Sequence, residues 1–302
     1  MCGNCEKKPV YTLDSGEKLC KTCFLRYVEK KVRKTLRVYK LVDKKDSIAV
    51  AVSGGKDSLT VVDLLSSVYK KNKNVQIKAL LIDEGIKGYR DACITPTQKF
   101  CFERNIPLEI VSYIKEFGFD LDQVVEGRKP CSVCGVLRRN LLNTYAKKMG
   151  VKKLATGHNL DDEAQTILMN QFRKNIDASA RLGPMTGIED HEGFVRRIKP
   201  LYFLTEKEIM TYAFVKGLVR EFNECPYNKE SYRNQVREML NHFEELYPGT
   251  KNSIVRSFLE ILPTLQKQEK GNTKIKKCRS CGEPSSQDQC QKCHVLQEIK
   301  SP

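Results

Sequence analysis

Ile48-Ala49-Val50-Ala51-Val52 runs directly into Ser53-Gly54-Gly55-Lys56-Asp57-Ser58, and Leu59 to Leu65 continue with helical character. A short apolar run rich in β-branched residues reads as a buried strand. The six polar residues therefore sit between a strand and a helix. Gly54 and Gly55 let backbone N–H groups approach an anion, and the helix N-terminus adds partial positive charge. Ser53 and Ser58 supply hydroxyls and Lys56 a charge. A Walker A loop needs G-x-x-x-x-G-K-[ST]. Here Asp57 follows the lysine and Val50 replaces the first glycine. An ordinary βα turn with an Asp or Ser cap is the bland alternative, and the strand–SGGKDS–helix context weighs against it.

The pattern repeats downstream. Val75–Gly85 reads as a strand ending in Asp83, "TPTQKFCFERNI" as a helix and "PLEIVSY" as a strand. "RRNLLNTYAKKMG" reads as a helix stopped by Gly150, "KKLATGHN" as a strand and "DDEAQTILMNQF" as a helix. Strands alternating with helices predict an α/β fold with a doubly wound parallel sheet. Ligands bind such sheets beyond the C-terminal strand ends. Ser53–Ser58, Asp83 and Gly157-His158 all fall there, so one nucleotide site shared by three strands is expected.

Both ends carry cysteine pairs. Cys2-x-x-Cys5 is followed by Cys20-x-x-Cys23, and Cys278-x-x-Cys281 by Cys290-x-x-Cys293. Two such knuckles place four thiolates around one tetrahedral Zn²⁺, so two structural zinc modules flank the α/β domain. "KPVYTLDSGEKL" reads as a hairpin turning at Asp14-Ser15-Gly16. Leu25, Val28, Val32, Leu36 and Tyr39 then mark one stripe of a helix, with Lys30, Lys31, Arg33, Lys34, Arg37 and Lys40 mostly off it. The chain carries 53 Lys and Arg against 37 Asp and Glu, a net charge of +16. That bias favours a polyanionic partner, nucleic acid above all. Arg173, Lys174, Arg181, Arg196, Arg197 and Lys199 are further candidates for a phosphate backbone. No apolar run spans a bilayer, no leader is visible at the N-terminus, and thirteen cysteines in a thiol-and-metal pattern point to the cytoplasm.

Cys131 and Cys134 stand before a helix, and Cys225 lies in "NECPYN". Spacing leaves three readings open: three ligands of an Fe–S cluster with one iron free, a persulfide relay carried by Cys225, or unconnected structural cysteines. Cys93 and Cys101 match no motif and read as small core residues. His158 is a ligand, a base or a strand-end histidine bonded to its own loop.

Ser53–Ser58 resembles the PP-loop of ATP pyrophosphatases, which split ATP between the α- and β-phosphates. With Cys131-Ser-Val-Cys134, Gly157-His-Asn-Leu-Asp-Asp162 and Cys225-Pro226, nearly the whole chain resembles the TtcA/TtuA family of tRNA thiolases. The paired zinc modules resemble its TtuA branch, which includes the archaeal and eukaryotic wobble-uridine enzymes. The resemblance implies an ATP-dependent tRNA 2-thiouridine synthetase. ATP with Mg²⁺ is expected on Ser53, Gly54, Gly55, Lys56, Asp57 and Ser58, framed by Ala51, Ile82, Asp83, Gly157 and Asp162. It implies a 4Fe–4S cluster with one open iron on Cys131, Cys134 and Cys225, catalytic roles for Asp57, Arg138, Asp161, Asp162 and Cys225, and a homodimer. Family members often have lysine where Arg138 stands, and arginine cannot easily give up a proton, so an electrostatic role is expected there. Expected partners are tRNA and a sulfur donor: sulfide, a persulfide or a ubiquitin-like thiocarboxylate carrier. The expected division is a zinc module over 1–26, a basic linker helix over 27–45, the PP-loop domain over 46–230, a helical extension over 231–272 and a second zinc module over 273–302. The target leans to the wobble uridine, with the T-loop uridine or a cytidine as alternatives. A zinc-ribbon RNA-binding scaffold without catalysis is the rival of another class.

Overall fold

The computed structural model describes residues 1–188, 191, 193–219, 225–228, 232–270 and 275–300. Strands β1 (Pro9–Thr12) and β2 (Lys18–Cys20) form the expected antiparallel hairpin, and helix α1 (Lys21–Val38) starts at once, carrying Cys23 in its first turn. Five alternating units follow: β3 (Ser47–Val52), α2 (Lys56–Tyr69), β4 (Gln76–Asp83), α3 (Arg90–Glu103), β5 (Leu108–Ser112), short helices α4 (Tyr113–Phe117) and α5 (Leu121–Val124), α6 (Pro130–Lys148), β6 (Lys153–Ala155), α7 (Leu160–Phe172), α8 (Ile176–Ala180) and β7 (Arg196–Ile198). The chain then forms α9 (Glu206–Lys216), α10 (Tyr232–Leu246) and α11 (Thr250–Glu269). It closes with the ribbon β8 (Lys276–Lys277) and β9 (Pro284–Ser285) and helix α12 (Gln291–Lys300).

The central sheet has the order β5-β4-β3-β6-β7 and is parallel throughout, as the alternating pattern predicted. From β3 the chain winds outward to β5, then returns across β3 to β6 and β7. The strand order therefore reverses between β3 and β6, and the crevice at their C-terminal ends is where such sheets bind ligands. Ser53 and Gly157 flank that crevice.

Two apolar layers cover the sheet. One gathers Val28, Val32 and Leu36 of α1, Leu59 to Leu65 of α2 and Ile209 and Tyr212 of α9. The other gathers Val133, Leu137 and Leu141 of α6 with Val295 of α12, so the C-terminal module docks on the cysteine-bearing helix. A third cluster joins α7, α10 and α11.

The stripe of α1 differs from the expected one by a residue. Phe24, fully buried, replaces Leu25, and Tyr39 lies past the helix end. The Phe24 ring stacks 4.7 Å from Tyr11 of the hairpin, which fixes the N-terminal module to the main core. Strand β7 and helix α9 were not marked by the sequence pattern. β7 is only three residues long, too short to show alternation. The linker at Gly271-Asn272 lies outside the described residues.

Phe24→Ala should cost about 3–5 kcal/mol, the range for a large aromatic truncated in a core, measured by urea unfolding. A cost below about 1 kcal/mol would mean that the hairpin is an appendage rather than part of the core.

Candidate active site

The loop after β3 is shaped by two close approaches. Gly54 has φ +82°, and a Cβ there would meet the Cβ of Cys93 at 2.8 Å and its carbonyl at 2.9 Å. Cys93, on α3, is thus more than core filling: its small side chain lets the loop lie down on α3. Gly157, after β6, comes so near the start of α2 that a Cβ would stand 3.0 Å from Asp57 Cβ and 3.1 Å from Ser58 N. Inside the loop, Ser58 Oγ accepts from Ser53 N at 3.1 Å and donates to Gly55 O at 3.0 Å. The first turn of α2 thereby opens toward the crevice with free N–H groups, a ready anion site.

A cavity of about 170 Å³ lies against this loop, lined by Lys56, Asp57, Asn159, Asp162, Glu206 and Arg237 among others. Lys56 Nζ pairs with Asp57 at 2.9 Å and Glu206 at 3.2 Å. Desolvation works against its charge, but Asp57 and then Glu206 outweigh it, and the ammonium is held above its ordinary range. Asn159 caps α7, its Oδ1 accepting from Asp162 N at 3.1 Å. Its amide donates to Asp57 at 3.2 Å, so the cap of α7 and the start of α2 orient each other.

The paired aspartates separate. Asp162 faces the cavity, and burial pushes its carboxyl up to about 6 against a lowering bond from Asn159 N–H. Asp161, expected beside Asp162 in the site, is placed elsewhere. It points away from the cavity, is buried, pairs with the buried Lys251 of α11 and accepts from Glu206 N at 2.8 Å. Adjacent helix positions lie about 100° apart, so the two carboxylates meet different surroundings. Lys199 departs likewise: it is buried and bound to Glu163 at 2.7 Å, not free for a phosphate backbone. Arg173, Lys174 and Arg181 are exposed. On α1, Lys31 is held by Glu208 at 2.7 Å and Arg33 by Glu29 at 2.6 Å, while Lys30, Lys34, Arg37 and Lys40 are exposed or partly so.

His158 Nδ1 lies 2.9 Å from Thr156 Oγ1. Its ring is accessible but stands in a crowded, cationic cleft. Desolvation first, then Lys199, Arg233 and Arg197, push its pKa down to about 3, so the imidazole is neutral at pH 7.

Cys131 and Cys134 occupy the first turns of α6, which opens on Pro130 at its first position. The helix starts eight residues before the segment the sequence pattern marked, and it places both thiols in its first two turns. Cys225 lies beside them. Cys131 Sγ donates to Tyr227 O at 3.4 Å, and Cys134 and Cys225 share one apolar cluster. Burial pushes up the Cys134 thiol, while Arg138 pulls it down. Arg138 is anchored by Glu84, 3.4 Å away. Glu84 is 1% exposed and also binds Arg90, whose guanidinium donates to Ser53 O at 2.8 Å. One carboxylate thus ties the phosphate loop to the cysteine helix. Neither Glu84 nor Arg90 stands out in the sequence, since nothing in "DEGIKGYR" separates a buried acid from a surface one.

At the ends, Cys2, Cys5, Cys20 and Cys23 form one group and Cys278, Cys281, Cys290 and Cys293 another, each with its sulfurs within 4.8 Å of one another. Contacts of 3.3, 3.6 and 3.7 Å approach the edge of about 3.8 Å that Zn–S bonds of about 2.3 Å give a tetrahedron. Among the described residues the middle trio forms no such tight group. A four-iron cube is larger than one ion, and its thiolates stand farther apart.

A family model described as a PP-loop domain matches residues 26–243. The tRNA 2-thiolation protein NcsA of Haloferax volcanii is 35% identical, over 99% of both chains. The tRNA-5-methyluridine(54) 2-sulfurtransferase of Pyrococcus horikoshii is 38% identical, over 91% of this chain and 86% of its own. The U34-tRNA thiolase NcsA of Methanococcus maripaludis, solved with its 4Fe–4S cluster, superposes with a TM-score of 0.84 at 35% identity, covering 98% of this chain and 95% of the other. The chain belongs to the PP-loop tRNA thiolation family. A PP-loop implies ATP, and the two terminal four-cysteine groups are able to bind metal. Among the described residues no helix is long and apolar enough to cross a membrane.

The two aspartates should respond oppositely. Asp161→Ala strands the buried Lys251 charge and should cost about 3–5 kcal/mol of stability with little change in nucleotide affinity. Asp162 has a folded pKa above that of free aspartate. Its neutral form therefore favours the fold below about pH 4, and this contribution is lost as pH rises through about 6. Asp162→Asn should remove that pH dependence, stabilise the ligand-free protein at pH 7 by about 1–3 kcal/mol and weaken ATP binding. Unfolding curves at pH 4 and pH 7 with nucleotide titrations check both, and an Asp161→Ala protein of normal stability that no longer binds ATP would reverse the assignment.

Proposed function

We propose that the chain is an ATP-dependent tRNA 2-thiouridine synthetase acting on the wobble uridine. The observation that carries the reading is the link Ser53–Arg90–Glu84–Arg138, which couples an anion-binding loop to a trio of cysteines. Adenylation alone needs only the loop. The adjoining thiols are what a sulfur transfer requires.

The N–H groups at the start of α2 and Lys56 hold the β- and γ-phosphates of ATP, and Asp57 and Asp162 face its Mg²⁺. Backbone at Ala51 and Ile82–Asp83 frames the adenosine. The C2 oxygen of uridine attacks the α-phosphorus, pyrophosphate departs and the oxygen becomes part of an AMP leaving group. Hydrosulfide then attacks C2 and expels AMP. Cys131, Cys134 and Cys225 fit a 4Fe–4S cluster by their donor set and their partial exposure. When bound, such a cluster supplies an open iron that holds the incoming sulfide. Arg138, fixed by Glu84, offsets negative charge between the thiolates and the α-phosphate. His158, neutral, accepts or donates a hydrogen bond without adding charge.

The wobble target rests on the likeness to the U34 thiolase over nearly the whole chain. The T-loop uridine is the rival, since the Pyrococcus relative is named for position 54. The exposed basic residues of α1 and of 173–181 suit the tRNA backbone. The thirteen free cysteines call for a reducing compartment, and we read the protein as cytoplasmic and homodimeric. The two terminal four-cysteine groups are assigned one structural zinc each. Free sulfide is the first donor to test, before a persulfide or a thiocarboxylate carrier.

The test is anaerobic purification, assay of iron, acid-labile sulfide and zinc, and incubation with ATP, Mg²⁺, sulfide and unmodified tRNA, with the thiolated nucleoside mapped by mass spectrometry. Expected are two zinc ions and four irons per chain, and 2-thiouridine at position 34. Cys225→Ala should lose iron and thiolation by at least about a hundredfold while keeping ATP and zinc. Thiolation at position 54 would move the target. Thiolation by iron-free protein would replace the cluster with a persulfide relay, and no thiolated product from any donor would point to another PP-loop ligase or to a non-catalytic RNA-binding protein.

A further inference from the structure

Helix α10 follows the cysteine segment and points Arg233 and Arg237, one turn apart, into the cavity against the phosphate loop. Arg233 is held rigidly: its guanidinium donates to Gln165 Oε1 at 3.2 Å and Thr166 Oγ1 at 3.1 Å on α7. Arg237 is held loosely. Its Nη2 stands 3.4 Å from both oxygens of Glu206, and both partners are about one-third exposed. Glu206 opens α9 and also accepts from Lys56 Nζ at 3.2 Å. A single carboxylate thus occupies a loop lysine and an α10 arginine at once, across a gap with Asp57 and Asp162 on its other side.

The cavity wall carries three cations, Lys56, Arg233 and Arg237, against three carboxylates, Asp57, Asp162 and Glu206. Without phosphates the charges balance. A pyrophosphate entering beside them finds its cations already engaged. Of the three acids, Glu206 has the least reason to be there. Asp57 is bonded to Asn159, and Asp162 forms the cap of α7. Glu206 binds the two cations that a phosphate oxygen would want, at distances longer than charge-assisted hydrogen bonds of full strength.

We propose that Arg237 and Lys56 clamp the pyrophosphate end of ATP, and that Glu206 is an internal competitor that holds both cations when phosphates are absent and reclaims them as pyrophosphate leaves. This rests on the reading of the loop as an ATP site and adds to it a residue that binds and one that releases. Arg233 is the fixed wall of the clamp, and Arg237, with one loose partner, is its moving part. An exposed ion pair is weak, whereas a guanidinium on phosphate oxygens makes strong paired bonds, so exchange of Glu206 for pyrophosphate runs toward the ligand. The same carboxylate repels bound pyrophosphate and so speeds its exit.

The test is calorimetric titration of the full zinc-bound chain, at fixed ionic strength, with inorganic pyrophosphate and separately with AMP. Arg237→Ala should weaken pyrophosphate by about tenfold or more and leave AMP within about twofold, with partial recovery in Arg237→Lys. Glu206→Gln should shift pyrophosphate the other way, tightening it severalfold and slowing its dissociation in stopped-flow displacement. Unfolding midpoints of each variant establish that the fold is kept. Unchanged pyrophosphate affinity in Arg237→Ala, or an equal loss of AMP, overturns the clamp. Glu206→Gln that binds pyrophosphate no tighter than wild type overturns the competitor. Wild-type protein that binds neither AMP nor pyrophosphate would remove the ATP reading itself, an outcome distinct from the other two.

Discussion

Glu84 is nearly without solvent contact and binds two arginines. A buried carboxylate is tolerated only where opposite charge and hydrogen bonds replace its lost water, and here each replacement has a second engagement. Arg90 reaches the Ser53 carbonyl, pinning the turn that exposes the loop's N–H groups. Arg138 reaches the electrostatic neighbourhood of Cys134. A guanidinium does not easily give up a proton, so what these arginines supply here is position and charge. Its planar fork is able to pair with Glu84 and still present charge outward. The distance between nucleotide chemistry and sulfur chemistry is thus set by one side chain on one strand end.

The three cysteine centres divide by the same logic of access. In each end group two sulfurs are buried and the four lie close together, which is how a closed structural site looks. The middle trio has Cys131 exposed and Cys134 and Cys225 half-buried, at the start of a helix beside an arginine. A closed site stabilises segments too small to make their own core. An open one leaves room for a reactant. The modules are also bolted to the parts that need support: the N-terminal hairpin through Phe24 to α1, and α12 to the helix that carries Cys131 and Cys134.

Much of this was legible from residue order. The β3–loop–α2 unit, the parallel winding and both terminal four-cysteine groups depend on local pattern, and local pattern survives in a sequence. What was not legible depends on which way a side chain points after folding. Asp161 and Asp162 are equivalent on paper, yet one anchors α11 and the other faces the cavity. Lys199 looked like one more phosphate contact until β7 placed it over Glu163. Arg237 and Glu206 meet from two different helices, 31 residues apart in sequence, and Cys93 matters because Gly54 lies on it. Each of these contacts joins distant segments and carries no periodicity to betray it.

The separation of the two aspartates shows how the fold divides stability from chemistry. Asp162, in the first turn of α7, faces the cavity against the loop, and burial makes its charge costly. Its neighbour supplies the compensation. Asp161 turns a quarter of the way around the helix, neutralises Lys251 and receives the N–H of Glu206, so α7, α9 and α11 meet on one carboxylate. The main chain of Glu206, whose side chain holds Lys56 and Arg237, is therefore bonded to Asp161. Structural and reactive acids sit side by side in sequence because the helix turns one of them toward the ligand and the other toward the frame that aims it.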